Sequence, residues 1–281
     1  MQCADPRSDM SLSKFSQMTT VVQSNILETR LEALYKTVNH RKMVHPDPLE
    51  FLYRYESLKD REIAGLIASC LAYGRVAQIL KSVAGVLNFM GQSPHNFLLS
   101  IDKAGLEHCF HGFCHRFACD SDLIGLLESI QWVLREYGSL YACFLSGYQE
   151  SDDLLIRAQI RFCETLSQEH DLGHLMPLPQ RGSACKRLNL FLRWMVRFDA
   201  VDPGGWSKIP SSKLIIPLDT HMHRIGNRLG FSTRKQADQR TALEITDAFR
   251  ELIPDDPVKY DFVLTRMGIR KDVATDLFDS N

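Results

Sequence analysis

Apolar residues recur with the period of an α-helix along almost the whole chain. In NILETRLEALYKTVN, at 25–39, four of them share one helical face: Leu27, Leu31, Leu34 and Tyr35. The stretch DREIAGLIASCLAYGRVAQILKSVAGVLNFMG, at 60–91, is apolar and rich in Ala and Gly, which is typical of closely packed helices. Further amphipathic windows cover about 122–136, 139–147 and 152–170. Because no stretch shows the alternation of a β-strand, we predict an all-α fold.

The composition is that of a protein with its own core. Apolar residues make up 44% of the 281 positions, and the net charge of −1 argues against a generally basic nucleic-acid coat protein. Residues 1–20 are polar and aperiodic, which predicts a disordered tail ahead of a single all-α unit over 21–281. We see no signal peptide and no apolar run long enough to cross a bilayer, so we expect a cytoplasmic protein without a membrane partner.

The eight cysteines show neither a CxxC pair nor the spacing of secreted domains, so we expect reduced, mostly buried thiols. The segment HCFHGFCHRFAC, at 108–119, crowds Cys and His together. Cysteines five residues apart on one helix step by about 140° and share no face, and no zinc spacing fits. We predict no metal and no cofactor. For His115 and Arg116 a structural role is favoured, with contact to DNA or substrate as the alternative.

Positive charge is concentrated in one fifth of the chain. Between Arg181 and Lys235 there are eleven Lys and Arg against three Asp, a local surplus of +8 that suits a polyanionic partner. A helix that begins near Cys185 would place an apolar face on one side and four polar or cationic side chains on the other: Lys186, Asn189, Arg193 and Arg197. We therefore predict a cationic outer face on this helix.

Two short motifs carry the candidate chemistry. In PLDTHMHRIGNRLGF, at 217–231, Asp219 stands where a helix cap is expected. His221 and His223 would point about 200° apart on that helix and cannot bind one metal together. Upstream, GSACK, at 182–186, ends in Lys186 at a first helical turn.

These motifs resemble those of the helix-hairpin-helix DNA glycosylase superfamily, of which endonuclease III is a member. LDTHMHRIGNRLG is similar to the segment that holds the catalytic Asp, and GSACK has the spacing of the hairpin that ends in the nucleophilic Lys. ALEITDAFRELIPDDPVKYDFVLTRMGI resembles the helices that follow. The resemblance covers about 182–269 and, more weakly, 60–90. From about 30 to 270 the chain also resembles a conserved bacterial family of unknown function.

The resemblance implies a two-lobed helical fold with a helix-hairpin-helix-like motif and a cleft, acting in base-excision repair on damaged double-stranded DNA. Asp219 would stabilise the positive charge that develops on the sugar as a flipped base leaves. Lys186 would attack the same carbon, and its Schiff base would permit strand cleavage. The same resemblance places Tyr73 and Arg75 where a side chain fills the hole left by the base. The full set of predicted DNA contacts is Gly182, Ser183, Arg187, Arg193, Arg197, His223, Tyr73 and Arg75.

The chain also departs from that pattern. Ala184 replaces the second hairpin glycine, Lys186 and Asp219 are 33 residues apart as in archaeal 8-oxoguanine glycosylases, and no cysteine follows Cys185, so we predict no iron–sulfur cluster. Asp219 could be a helix cap alone, and Lys186 a solvated lysine. Two other functions therefore stay open: a non-catalytic nucleic-acid-binding protein, or a hydrolase of a small nucleoside-like substrate.

Overall fold

The structure, a computed structural model, describes residues 25–269. The tail predicted for 1–20 lies outside the described residues. The described residues are mostly helical, which confirms the all-α class. The α-helices are α1 (25–38), α2 (Leu58–Cys70), α3 (Val76–Met90), α4 (Pro94–Ser100), α5 (Lys103–Phe110), α6 (Asp120–Tyr137), α7 (Leu140–Ser146), α8 (Ile156–Leu166), α9 (Lys186–Val196), α10 (Thr220–Arg228), α11 (Gln239–Leu252) and α12 (Asp261–Ile269). Short 3-10 helices cover Arg41–Met43, Pro48–Arg54, Pro179–Arg181 and Ser211–Lys213.

The segment at 108–119 is not one continuous helix. Helix α5 ends at Phe110, and a small antiparallel hairpin follows, formed by β1 (Cys114–His115) and β2 (Ala118–Cys119). Both strands are two residues long, too short for the alternating pattern that identifies a strand in a sequence. The step of about 140° between its cysteines, which applies to a single helix, is therefore wrong for this segment.

Helix α2 lies at the centre of the packing, as its Ala and Gly content predicts. A Cβ atom on Gly65 would come within 3.3 Å of Leu52 and 3.4 Å of Phe191 on α9, so α2 approaches both neighbours too closely for a larger residue. Glu62, on the same helix, is fully buried and accepts hydrogen bonds from the backbone N–H groups of Leu140 and Tyr141 at the start of α7. A carboxylate thus satisfies N–H groups that helix geometry leaves without partners.

An aromatic cluster fills the core beside α2. The Trp206 ring packs edge-on to Phe191 at 5.1 Å and stacks on Tyr141 at 5.2 Å, and its indole N–H donates to Glu62. Because Trp206 belongs to the long loop between α9 and α10, this packing anchors that loop to the core and fixes how α9 and α10 meet.

Helix α10 packs against the two helices that follow it. A Cβ atom on Gly226 would meet the Ile245 side chain of α11 at 2.5 Å, which makes this a close helix crossing. Helix α10 also contacts α12. The N-terminal ends of α9, α10 and α12 converge on one region, where Lys186, Thr220 and Asp261 lie around the same cavity. Within 25–269, no helix combines the length and the apolar character that crossing a bilayer requires.

Candidate functional site

A cleft of about 870 Å³ opens where the helix ends converge. Its walls come from the segment that follows α2, the turn before α9, the start of α10 and the first turns of α12. Pockets that bind small molecules usually hold about 300–1,000 Å³, so one nucleotide or a similar ligand fits this volume.

Lys186 and Asp219 meet in this cleft. Lys186 is the first residue of α9, and its Nζ lies 3.7 Å from Oδ2 of Asp219. The side chains are 35% and 19% exposed, which leaves both open to a ligand but partly shielded from water. The other carboxylate oxygen of Asp219, Oδ1, accepts the backbone N–H groups of His221 (2.9 Å) and Met222 (2.8 Å). Asp219 is therefore a helix cap that still has one oxygen directed at a lysine.

The turn ahead of Lys186 has the left-handed residues that a tight connection needs. Gly182 has φ +74° and Cys185 has φ +47°, and the second value is uncommon for a residue with a side chain. Gly182 and Ser183 are exposed and line the cleft. The N–H of Gly182, however, already donates to the carbonyl of Pro179, and the N–H of Cys185 donates to the hydroxyl of Ser183. These two N–H groups therefore already have acceptors within the protein.

The predicted cationic face of α9 is wrong. Arg193 and Arg197 are only 3% and 4% exposed and form ion pairs with buried Asp202. Arg193 also pairs with Asp261, and Arg197 with Asp256. A buried guanidinium is costly unless carboxylates surround it, and here they do. Arg193 lines the bottom of the cleft, but both guanidinium groups are held in these buried ion pairs, so neither arginine is placed to bind a DNA phosphate.

The same pairs correct the charge count. The surplus of +8 between 181 and 235 ignores carboxylates that fold back from beyond that window. Asp238 pairs with Arg234, and Asp256 and Asp261 neutralise the two buried arginines. The cleft lining holds four Lys or Arg against four Asp, so it is not strongly basic.

Arg187 and Tyr73 form one contact at the rim. The Arg187 guanidinium lies 5.1 Å from the centre of the Tyr73 ring and donates to the carbonyls of Cys70 and His174. The Tyr73 hydroxyl donates to the carbonyl of His115 at 2.9 Å. Tyr73 is half-buried and bonded rather than free to insert into DNA, so the structure corrects its predicted role in filling the hole left by a base. Arg75 is exposed beside it but does not line the cleft.

Of the two histidines of α10, His221 lines the cleft and the predicted DNA contact, His223, does not. The Nε2–H of His223 donates to the carbonyl of Arg234 at 2.9 Å. The start of α10 lines the cleft with Asp219, Thr220 and His221. His223 therefore has a structural partner in place of the predicted contact with DNA.

Asp261 is a cleft residue that the sequence did not single out. It is 1% exposed, its Oδ2 pairs with Arg193, and its Oδ1 has no hydrogen-bond partner. Burial raises the pKa of Asp261 to about 6, against the lowering effect of Arg193. In the sequence it is one more acid at the start of a helix, and only the fold brings it beside the cleft.

The described residues contain no group of three His, Cys, Asp or Glu side chains that could hold a metal ion. All seven described cysteines are free. Four of them are buried: Cys70, Cys143, Cys163 and Cys185. Cys114 and Cys119 of the hairpin are exposed. The crowded segment at 108–119 is thus a small hairpin with thiols on its surface.

Comparison with known proteins identifies a family. The sequence profile of the family described as "Protein of unknown function (DUF2400)" matches residues 47–270. The chain belongs to the DUF2400 family. The match includes Lys186, Asp219 and Asp261, and it covers every residue that lines the cleft except Pro46. This confirms the resemblance to a conserved family of unknown function. Searches of the curated proteins and of the solved structures find no match.

Proposed function

We propose that this DUF2400 protein is a DNA glycosylase that removes a damaged, flipped base from double-stranded DNA, with Asp219 and Lys186 as its catalytic residues. The observation that carries the proposal is the 3.7 Å approach of Lys186 Nζ to Asp219 Oδ2 within a cleft that can hold one nucleotide. The two residues come from the starts of two different helices, 33 positions apart, and the order hairpin, Lys, Asp is that of the glycosylase superfamily. The two-lobed architecture and the helix-hairpin-helix-like motif at 182–187 are part of this proposal.

The chemistry follows from the position of the two groups. Asp219 Oδ2 lies 3.7 Å from the Lys186 ammonium and would accept its proton when the two groups close to hydrogen-bond distance around the bound nucleotide, which frees the amine's electron pair. The amine attacks C1′ of the sugar while the glycosidic bond breaks and its electron pair leaves with the base. The proton held by Asp219 is then available to the departing base. Once that proton has passed to the base, Asp219 is again a carboxylate, and its negative charge stabilises the electron-poor sugar carbon.

Helix geometry supports the same assignment. Lys186 and Asp219 lie at the N-terminal ends of α9 and α10, where the partial positive charge of each helix favours an anionic ligand such as a phosphate. Ser183 and Gly182 form the exposed wall beside Lys186. A DNA backbone that lies across this wall would bring the adjacent sugar to the lysine.

A nucleoside hydrolase is the second candidate. It is favoured by the charge of the cleft lining, where four acids balance four cations, because a balanced cleft suits a small neutral substrate better than a polyanion. The same carboxylate would then stabilise the sugar of a free nucleoside.

The test is base release from duplexes that each carry one lesion, such as 8-oxoguanine, uracil or an alkylated adenine, with free nucleosides assayed in parallel. We expect release from at least one duplex, loss of that release in Asp219→Asn, and none from nucleosides. Asp102→Asn is the matched control, because Asp102 caps α5 in the same way but lies outside the cleft. Release from nucleosides alone would favour the hydrolase, and no release from any substrate would reject both.

A further inference from the structure

Two cysteines face each other across the β1–β2 hairpin. Cys114 of β1 pairs with Cys119 of β2, and the neighbouring pair, His115 with Ala118, adjoins the two-residue turn. Residues next to such a turn exchange their backbone hydrogen bonds, so Cys114 and Cys119 form the following, non-hydrogen-bonded pair. The Cα atoms of such a pair lie about 4.5 Å apart, and the two side chains project from the same face. This spacing falls within the range of about 4.4–6.8 Å that a disulfide spans.

Both thiols lie on the outer face of the hairpin. His115 is fully buried and Ala118 is 2% exposed, so these two side chains point into the protein. Because side chains alternate along a strand, Cys114 and Cys119 point outward, and both are exposed. A small-molecule oxidant can therefore reach either sulfur atom.

The other described cysteines are less suited to oxidation. Four of them are buried: Cys70, Cys143, Cys163 and Cys185. Burial raises the pKa of the Cys70 thiol to about 11 and that of Cys143 to about 12, which leaves almost no reactive thiolate at neutral pH. Cys109 is partly exposed but belongs to α5. Among the described cysteines, only Cys114 and Cys119 are both exposed and paired in register across a hairpin.

Oxidation would leave the start of α6 intact. Cys119 directly precedes this helix, and its thiol donates to Oδ2 of Asp122 at 3.2 Å. The same carboxylate oxygen accepts the backbone N–H of Cys119 at 2.8 Å. A disulfide removes the S–H donor but keeps the backbone bond, so Asp122 still has a partner.

The hairpin supports one wall of the cleft. The Nε2–H of His115 donates to the carbonyl of Tyr73 at 3.2 Å, and the Tyr73 hydroxyl donates to the carbonyl of His115 at 2.9 Å. Arg116, in the turn, lies over Gly74, where an added Cβ would be 2.6 Å from its side chain. Tyr73 and Gly74 both line the cleft, so a change in the order of the hairpin acts directly on the cleft wall.

We propose that Cys114 and Cys119 are a thiol–disulfide modification site, whose intramolecular disulfide ties together the two strands that support the cleft wall. The oxidant is a low-molecular-weight disulfide of the glutathione class. One cysteine thiolate attacks a sulfur atom of that disulfide, its S–S bond breaks, and one small thiol leaves. The other cysteine then attacks the mixed disulfide and releases the second small thiol. Two protein thiols are thereby oxidised, one external disulfide is reduced, and the two departing thiols carry away the two protons.

The test treats the full-length protein with glutathione disulfide, alkylates the remaining thiols and digests the product with trypsin. Trypsin cleaves after Arg116, inside the turn, so the proposed bond joins two separate peptides, 104–116 and 117–135. We expect this linked pair, with both thiols lost to alkylation, and we expect dithiothreitol to separate it. Fragmentation of the linked pair should assign the bond to Cys114 and not to Cys109, which lies in the same peptide.

Two variants control for the assignment. Cys114→Ser should form no linked pair and should carry glutathione on Cys119, because no second thiol is present to displace it. Cys109→Ser removes a partly exposed thiol from the same peptide and should form the disulfide as the unchanged protein does. Hydrogen exchange at 114–119 should slow on oxidation of the unchanged protein but not of Cys114→Ser.

Three results would overturn the proposal: a disulfide through Cys109, glutathione adducts on Cys114 and Cys119 without a bond between them, or no reaction at either thiol. The experiment contains no nucleic acid, so its outcome does not depend on the proposed function of the cleft.

Discussion

Lys186 and Asp219 approach to 3.7 Å through one oxygen of the carboxylate, while the other oxygen caps α10. The capping bonds fix the carboxylate in place, because Oδ1 accepts two backbone N–H groups that cannot move without opening the helix. Oδ2 is thereby held toward the lysine and the cleft. The structural and the proposed chemical roles of Asp219 use different atoms and can be separated by mutation.

Asp219→Asn should lose activity while keeping the fold, because an amide oxygen can still cap α10 but carries no charge. Asp219→Ala should lose activity and also about 1 kcal/mol of unfolding free energy, the usual cost of a lost N-cap. Urea unfolding of both variants measures the difference. If Asp219→Asn keeps base release, Asp219 is a cap alone and the proposed chemistry is wrong.

Arg193→Leu should destabilise the protein by about 3–5 kcal/mol, because it leaves Asp202 and Asp261 buried without their common partner. Arg224→Ala, on the exposed side of α10, should change stability by less than about 0.5 kcal/mol. Thermal unfolding measures the stability of both variants. If Arg193→Leu does not fold, Arg193→Lys should give a stability between that of the unchanged protein and the loss expected for the leucine variant. A stable Arg193→Leu protein with weakened DNA binding would instead restore the sequence-based role for this residue.

Glu62 should make the protein less stable as the pH rises. Burial raises the pKa of Glu62 to about 7 from an ordinary value near 4.5, so the folded state binds this proton more tightly than the unfolded state. Its contribution is complete below pH 4.5 and is lost as the pH rises through 7. Relative to Glu62→Gln, which does not titrate, the unchanged protein should lose on the order of 3 kcal/mol across this range.

Urea unfolding of both proteins at several pH values measures this difference. The titration of Asp261, shifted in the same direction, occurs in both proteins and cancels. A difference that does not vary with pH would mean that Glu62 stays ionised in the fold.

Gly74→Ala should loosen the support of the hairpin. Gly74 has φ +100°, a conformation that strains any other residue, and the new methyl group would press on Arg116 at 2.6 Å. We expect a loss of about 1–2 kcal/mol and faster hydrogen exchange at 114–119 than in the unchanged protein. Gly91→Ala is a useful comparison, since it has a positive φ but no neighbour within 4 Å.

The helices could be predicted from the sequence, because their apolar faces repeat over many turns. The stripe at 25–39 is confirmed by Leu31, which is fully buried, and the Ala and Gly content of 60–91 by the close approach at Gly65. The hairpin at 114–119 could not be predicted, because two-residue strands carry no pattern. Its anchor, His115, is buried through contacts with α3 and Tyr73 that only the fold brings together.

The order of the two motifs predicts that Lys186 and Asp219 lie close together. It does not predict that the polar face of α9 is buried. Periodicity places Arg193 opposite an apolar face and so predicts exposure. The helix is instead surrounded on both sides, and carboxylates up to 68 residues away cover its polar face. The place of Asp261 beside the cleft could not be predicted for the same reason. Its ion pair with Arg193 and its unpaired Oδ1 depend on contacts between residues far apart in the sequence.

The most direct test of the central claim is borohydride trapping of the protein on a duplex with one natural abasic site, followed by mapping of the modified residue by mass spectrometry. We expect a covalent adduct on Lys186 that disappears in Lys186→Ala and persists in Lys103→Ala, whose lysine also begins a helix but lies outside the cleft. An adduct on another residue, or no adduct and no base release from any lesion, would contradict it.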